Sequence, residues 1–116
     1  MHKTSNVYLN GYIRNRALNV LLDTASDVSL APYLLIEKHK CQLRKSSTEA
    51  LKAANGSDII IAGEATLPLR IADRLLHTVV LVSKDVSETI LGIDWLRKHE
   101  CEWDLINESV RFGAGE

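Results

Sequence analysis

Hydrophobic positions along the chain fall in short runs broken by Gly, Asn, Asp and Ser, a pattern of strands rather than long helices. Val7-Tyr8-Leu9 and Tyr12-Ile13 flank Asn10-Gly11, the strongest two-residue hairpin signal, and predict two strands with a turn between them. Arg14-Asn15-Arg16 then leads into an apolar-rich strand over 17–22, which ends on Asp23. The chain resumes with Val28-Ser29-Leu30, and Pro32 marks a sheet edge or an exit. Residues 34–39 read as a helical turn, and 42–49 are polar and irregular. Residues 50–63 read as a long hairpin with Asn55-Gly56 at its tip.

In the second half, Ala65, Leu67, Leu69 and Ile71 alternate with Thr66 and Arg70, as in a half-buried strand. Residues 77–82 form the most continuous aliphatic and β-branched run and predict a central core strand. A loop over 84–88 follows, and Ile90-Leu91-Gly92 re-enters the core. Asp94 is placed to cap a helix over 95–99. Residues 102–106 and 109–112 predict a closing hairpin turning on Asn107-Glu108. Trp95 and Trp103 read as packing residues, and no internal repeat, low-complexity tract or linker is visible.

Composition narrows the class without naming it. A chain of 116 residues suits one domain, 1–116, burying roughly two-thirds of its unfolded surface. A net charge of -1 gives no pull toward nucleic acid or an anionic membrane, so neither is expected as a partner. The basic pairs Arg14/Arg16 and Arg44/Lys45 and the run Lys38-His39-Lys40 read as solvated faces. No apolar run approaches the ~20 residues of a membrane span, and no signal peptide opens the chain. Cys41 and Cys101 lie far apart and read as reduced, packed thiols of an intracellular protein. His39, His77 and His99 have no ligand spacing, so neither a metal nor any other cofactor is expected. Asn55-Gly56-Ser57 and Asn107-Glu108-Ser109 match the glycosylation pattern but read as turns.

The chemistry concentrates at Asp23. The run Val20-Leu21-Leu22 delivers one carboxylate into a turn of small and hydroxylated residues, Thr24-Ala25-Ser26. Burying a carboxylate at a strand end is costly unless neighbours hydrogen-bond it or a partner shares its charge. A lone Asp capping an Asx turn is the plain alternative, since such turns are common. A second segment bears on that choice: Ile90-Leu91-Gly92-Ile93-Asp94-Trp95-Leu96, two aliphatics and a Gly before a short amphipathic helix.

Asp23-Thr24-Ala25 after an aliphatic strand, followed much later by Leu-Gly-Ile-Asp-Trp-Leu, resembles the retroviral-type aspartic proteases, or retropepsins. The second motif looks most like that of gypsy-type long-terminal-repeat retrotransposons, and the resemblance runs from about Val7 to Phe112. It implies an all-β, small closed barrel with one short C-terminal helix, active as a two-fold homodimer. Aspartic proteases need two carboxylates about 3 Å apart that hold one proton between them. This chain has one such triplet, so the dyad has to come from Asp23 of two subunits on a symmetry axis.

Carried over by resemblance, Asp23 is the catalytic aspartate, Thr24 braces the two loops across the axis, and Ala25 stands where the family usually has Gly. Ala at that place narrows the space for substrate backbone and removes easy access to positive φ. Asp27 aligns with a substrate-backbone contact, but the Arg that commonly pairs with it is Ile93 here. Leu21, Val28, Ile59, Ile61 and Ile90 are the expected pocket walls, implying a preference for apolar residues at the cleaved bond. The hairpin tip Ala54-Asn55-Gly56-Ser57 is the expected flap that closes over peptide. The implied function is an aspartic endopeptidase acting on a Gag-Pol-type polyprotein, in the cytoplasm or within virus-like particles. Two alternatives stay open: a host-domesticated relative with cellular substrates, and a non-catalytic dimerisation or peptide-binding module of the same fold.

Overall fold

A computed structural model describes residues 7–53, 55–104 and 109–112. Ten strands and two short helices follow one another along these residues: β1 Val7–Ile13, β2 Arg16–Leu22, β3 Leu30–Pro32, α1 Tyr33–Lys38, β4 Ala50–Lys52, β5 Asp58–Ile60, β6 Gly63–Ile71, β7 Arg74–Ser83, β8 Thr89–Leu91, α2 Ile93–Lys98, β9 Cys101–Asp104 and β10 Ser109–Phe112. Six strands close into a barrel in the order β1-β2-β8-β3-β7-β6, while β4-β5 and β9-β10 form separate two-stranded sheets. Strand β8 lies between β2 and β3, parallel to β2 and antiparallel to β3. The loop joining β2 to β3 therefore has to cross the end of β8.

The barrel fills with the inward row of each strand. In β6, Ala65, Leu67, Leu69 and Ile71 are buried, as their alternation predicts. They meet Ile13, Val20, Leu22, Val80, Val82, Leu91 and Trp95 in one cluster. Strand β7 takes the central place expected of it, between β3 and β6, with one of its two faces buried. Thr78, Val80 and Val82 point inward, but Leu75 and Val79 are exposed on the outer face. An aliphatic run with apolar residues on both faces carries no period, so sequence alone could not assign its sides.

The first hairpin also turns elsewhere than predicted. Asn10 and Gly11 sit inside β1, paired with Asn19 and Leu18. The chain reverses on Arg14-Asn15, whose φ angles of 47° and 73° match a two-residue turn with the strand twist. A turn at Asn10-Gly11 would have halved β1 and removed the fully buried Ile13 from the core. Core packing outweighs the local turn preference. The β6–β7 hairpin uses the same device at Ala72-Asp73, with φ of 52° and 67°.

Both expected helical segments form, the one read as a helical turn at 34–39 as a short helix, Tyr33–Lys38. After β3, α1 ends on His39 with Lys40 at φ 54°, closed by Lys40 N–H to Glu37 O (3.1 Å) and Cys41 N–H to Ile36 O (3.0 Å). After β8, α2 ends on His99 with Glu100 at φ 52°. Lys38-His39-Lys40-Cys41 and Lys98-His99-Glu100-Cys101 are thus the same strand–helix–cap unit used twice. The shared pattern is confined to the two helix ends. It escapes notice because the shared residues mark a helix end and not a core pattern. Both cysteines are free and packed against the core, and burial pushes the Cys101 thiol up to about 11. Strands β9 and β10 pair as expected, but their turn and the Trp103 side chain lie outside the described residues.

Candidate active site

Strand β2 delivers Asp23 to the end of the barrel, where its N–H donates to Leu91 O of β8 at 3.0 Å. The half-buried carboxylate then organises its own turn. Oδ1 accepts the Ala25 N–H (3.0 Å), and the Asp23 carbonyl accepts the Ser26 N–H (3.0 Å). Ala25 has no positive φ, so the turn forms without the glycine expected there. Thr24 and Ala25 are exposed at the loop tip, open to a neighbouring molecule.

The loop is braced from below by β8 and α2. Ser26 O accepts the Ile93 N–H (2.9 Å), and the Ser26 hydroxyl donates to Val28 O (2.6 Å). A Cβ on Gly92 would lie 2.5 Å from Ser26 O and 2.6 Å from Val28 O. Glycine is needed there by close approach of two backbones, which is what the Leu-Gly-Ile motif encodes physically. Gly92 N–H in turn donates to Ser29 Oγ at 3.0 Å.

Asp94 does something other than the expected helix cap. The N-cap of α2 is Gly92, without a side-chain cap bond. Asp94 sits in the first turn and accepts from Ser29 Oγ (2.8 Å), Ser29 N (3.1 Å) and Trp95 N (2.7 Å). It ties the exit of the Asp23 loop to the start of α2. Sequence reasoning missed Ser29 altogether. A single Ser in an apolar run carries no signal until its partner is known. Beyond it, the indole of Trp95 donates to Thr78 Oγ1 (3.1 Å), linking α2 to β7.

The remaining predicted residues divide. Leu21 of β2 pairs with Ile90 of β8, and Ile90 with Leu30 of β3, so these three share one face next to the Asp23 loop. Val28 and Ile90 are half-buried, while Leu21 is 7% exposed and Ile61 9%. Asp27 is exposed, with no hydrogen bond or ion pair among the described residues. Ile93, in the place of its usual Arg partner, brings no charge to it, and its N–H donates to Ser26 O.

The β4–β5 hairpin stands apart from the barrel. Its tip is closed by Ala53 N–H to Ser57 O (2.8 Å) and by Asn55 Oδ1, which accepts from Ser57 N and Oγ. Gly56 takes φ 88°, as expected of a glycine at a tight tip, while Ala54 lies outside the described residues. At its base, Ile60 N–H donates to Asp85 Oδ2 (2.9 Å), and Ser83 Oγ donates to Ile60 O (2.6 Å). Ile59 is half-buried and pairs with Leu51.

No family model and no curated relative matches the sequence. Solved structures do. The retroviral protease-like domain of Ddi1 from Leishmania major matches with a TM-score of 0.76 at 18% identity, covering 97% of this chain and 91% of that one. The EIAV protease, complexed with the inhibitor HBY-793, gives a TM-score of 0.64 at 26% identity over 84% of this chain and 89% of that one. A retropepsin-like aspartic protease from Rickettsia conorii gives 0.62 at 20% identity, over 85% and 76%. The closed barrel is the retropepsin fold, and the structural neighbours are retropepsin-like aspartic proteases.

Proposed function

We propose that the chain is an aspartic endopeptidase whose active site forms between two copies of itself. The observation that carries this reading is Asp23, set at the barrel end in a loop braced by Gly92, Ser29 and Asp94. In the proposed dimer the two Asp23 carboxylates share one proton, because like charges about 3 Å apart cannot both ionise. One carboxylate takes a proton from water, which attacks the scissile carbonyl carbon. The other gives its proton to the carbonyl oxygen; the first then passes the proton taken from water to the amide nitrogen, and as the C–N bond breaks and the amine leaves, a hydroxyl of the tetrahedral intermediate returns one proton to the pair. Thr24, exposed at the tip, braces the two loops across the axis. Leu21, Val28, Ile59, Ile61 and Ile90 supply apolar walls, and residues 54–57 close over the peptide and exclude water.

For the substrate we favour a Gag-Pol-type polyprotein, on the strength of the Leu-Gly-Ile-Asp-Trp-Leu form. A cellular polypeptide would be cut by the same chemistry. The test is incubation of purified wild type and Asp23→Asn with a peptide library across protein concentrations. Expected are cleavage flanked by apolar residues, a rate that rises faster than protein concentration at high dilution, inhibition by pepstatin, and loss of cleavage in Asp23→Asn. Asp23→Asn chains added in excess should poison the wild type. Wild-type turnover by Asp23→Asn would refute the reading.

A further inference from the structure

The wall beside Asp23 is not the plain apolar surface that its sequence predicts. Strands β1, β2 and β8 lie side by side, with Tyr8 opposite Leu21 and Leu21 opposite Ile90. A row of this kind shares one sheet face, here the face turned away from the buried Val20, Leu22 and Leu91. The Tyr8 phenol donates to Glu88 Oε1 at 2.9 Å. Since β1 and β8 stand on opposite sides of β2, about 10 Å apart, this bond bridges across β2.

The bridge changes what the wall offers to a polypeptide. Leu21 lies in the row being crossed and is only 7% exposed, whereas Tyr8 is 56% exposed. A phenol has one proton to give, so Glu88 keeps Oε2 and further lone pairs free. Glu88 enters no ion pair among the described residues. Its hydrogen bond holds the Tyr8 pKa above the usual phenol value, so the ring stays a donor and the carboxylate is held in place.

We propose that Glu88, positioned by Tyr8, selects a Lys or Arg side chain in the substrate at a fixed spacing from the apolar scissile pair. The proposal rests on the protease reading and deepens it by naming a charge preference. A cation arriving here meets a carboxylate already fixed by the Tyr8 phenol, which favours positive charge. An acidic side chain meets like charge and an acceptor with no proton to offer. A two-fold dimer would carry this wall twice, so the preference should occur on both sides of the cleaved bond.

The experiment compares two peptides that share one apolar scissile pair and differ only in Arg or Glu at the flanking position enriched in the library. For wild type the Arg peptide should have the higher kcat/KM, by about fivefold for a partly exposed pair. Glu88→Gln should erase that ratio, Glu88→Lys should invert it, and Tyr8→Phe should reduce it. A merely structural role for the bridge would not produce the inversion. Binding of the two peptides, measured by fluorescence anisotropy on Asp23→Asn, reads the same preference without turnover. Discrimination that survives Glu88→Lys in both assays overturns the proposal, as does its absence in wild type. If peptides bind with the Glu88-dependent preference but are never cut, the protease reading fails and the charge site stands.

Discussion

Gly92→Ala tests whether the Leu-Gly-Ile segment is a steric requirement of the Asp23 loop. The added Cβ would lie 2.5 Å from Ser26 O, 2.6 Å from Val28 O and 2.9 Å from Val28 C. All three atoms are backbone, so no side chain can rotate away. Clearing even a 3.0 Å separation requires a shift of about half an ångström in the 26–28 segment, as overpacking in a closed site demands. That segment is held by Ile93 N–H to Ser26 O and by Gly92 N–H to Ser29 Oγ, and the shift stretches both. Overpacking of this kind costs typically ~1–3 kcal/mol, and the rigid neighbours place this case near the top of the range. With roughly 3–6 °C per kcal/mol for a domain of this size, Tm should fall by about 10–15 °C. Cleavage, measured well below that Tm, should drop at least about tenfold, since a misplaced reacting group loses orientation. Gly63→Ala is the matched control: its Cβ would meet Arg44 O at 2.4 Å, away from the loop. It should lower Tm comparably while sparing the residual folded protein's cleavage. A Gly92→Ala variant within about 0.5 kcal/mol of wild type in urea unfolding would refute the steric argument.

Asp94→Ala removes the acceptor for Ser29 N, Ser29 Oγ and Trp95 N, leaves the buried Ser29 donors unpaired, and should cost about 2–4 kcal/mol in urea unfolding. Asp94→Asn, which keeps an acceptor oxygen, should cost about 1 kcal/mol. Burial lowers the pKa of both His39 and His99, helped by Lys38, Arg16 and Arg14 at the first and Lys98 at the second. The folded state thus prefers neutral imidazole, so stability is full above the ordinary value of 6.5 and falls as pH drops through it; a flat Tm between pH 7.5 and 5 would contradict this. Amide exchange at Gly56 and Ser57, where the bonds are local, should be fast and should slow with pepstatin, while Ile60 and Ile61 at the anchored base exchange slowly throughout; equal rates at tip and base would refute the flap assignment.

How much of this was legible in the sequence follows from how local each determinant is. The Asp23 turn, the β4–β5 tip at Asn55-Gly56 and the inward row of β6 depend on residues close together, and each reads directly. The strand that carries Asp23 reads from its apolar run, whereas the Gly of the later motif reads only as part of a pattern until the structure shows two backbones meeting at it. The turn at Arg14-Asn15 does not read, because its competitor Asn10-Gly11 is locally better and loses only to the burial of Ile13. The Ser29–Asp94 pair is separated by 65 positions and becomes visible only once β8 is threaded between β2 and β3. The same threading turns Asp94 from a supposed helix cap into a clamp. The Tyr8–Glu88 bridge spans 80 positions and three strands, which no periodicity can show.

These long-range ties bear on the conditions under which the proposed chemistry can run. A dyad that acts while holding one proton favours the acid side of neutrality. The two helix-end histidines pull the other way, since each gives up folding free energy as it gains a proton. His99 is the more exposed of the pair to this conflict in one respect: its Nε2 is buried without a partner among the described residues, while its ring packs at 5.3 Å from Trp95. Trp95 begins on the Asp94 clamp and ends on Thr78, so a charge introduced at His99 acts on the helix that braces the Asp23 loop. Association of two chains opposes the loss, because whatever binds only the folded form stabilises it by mass action. On the proposed reading, acid activity and dimerisation are therefore coupled requirements: the pH that would arm a shared carboxylate pair is also the pH at which the protomer would most need its partner.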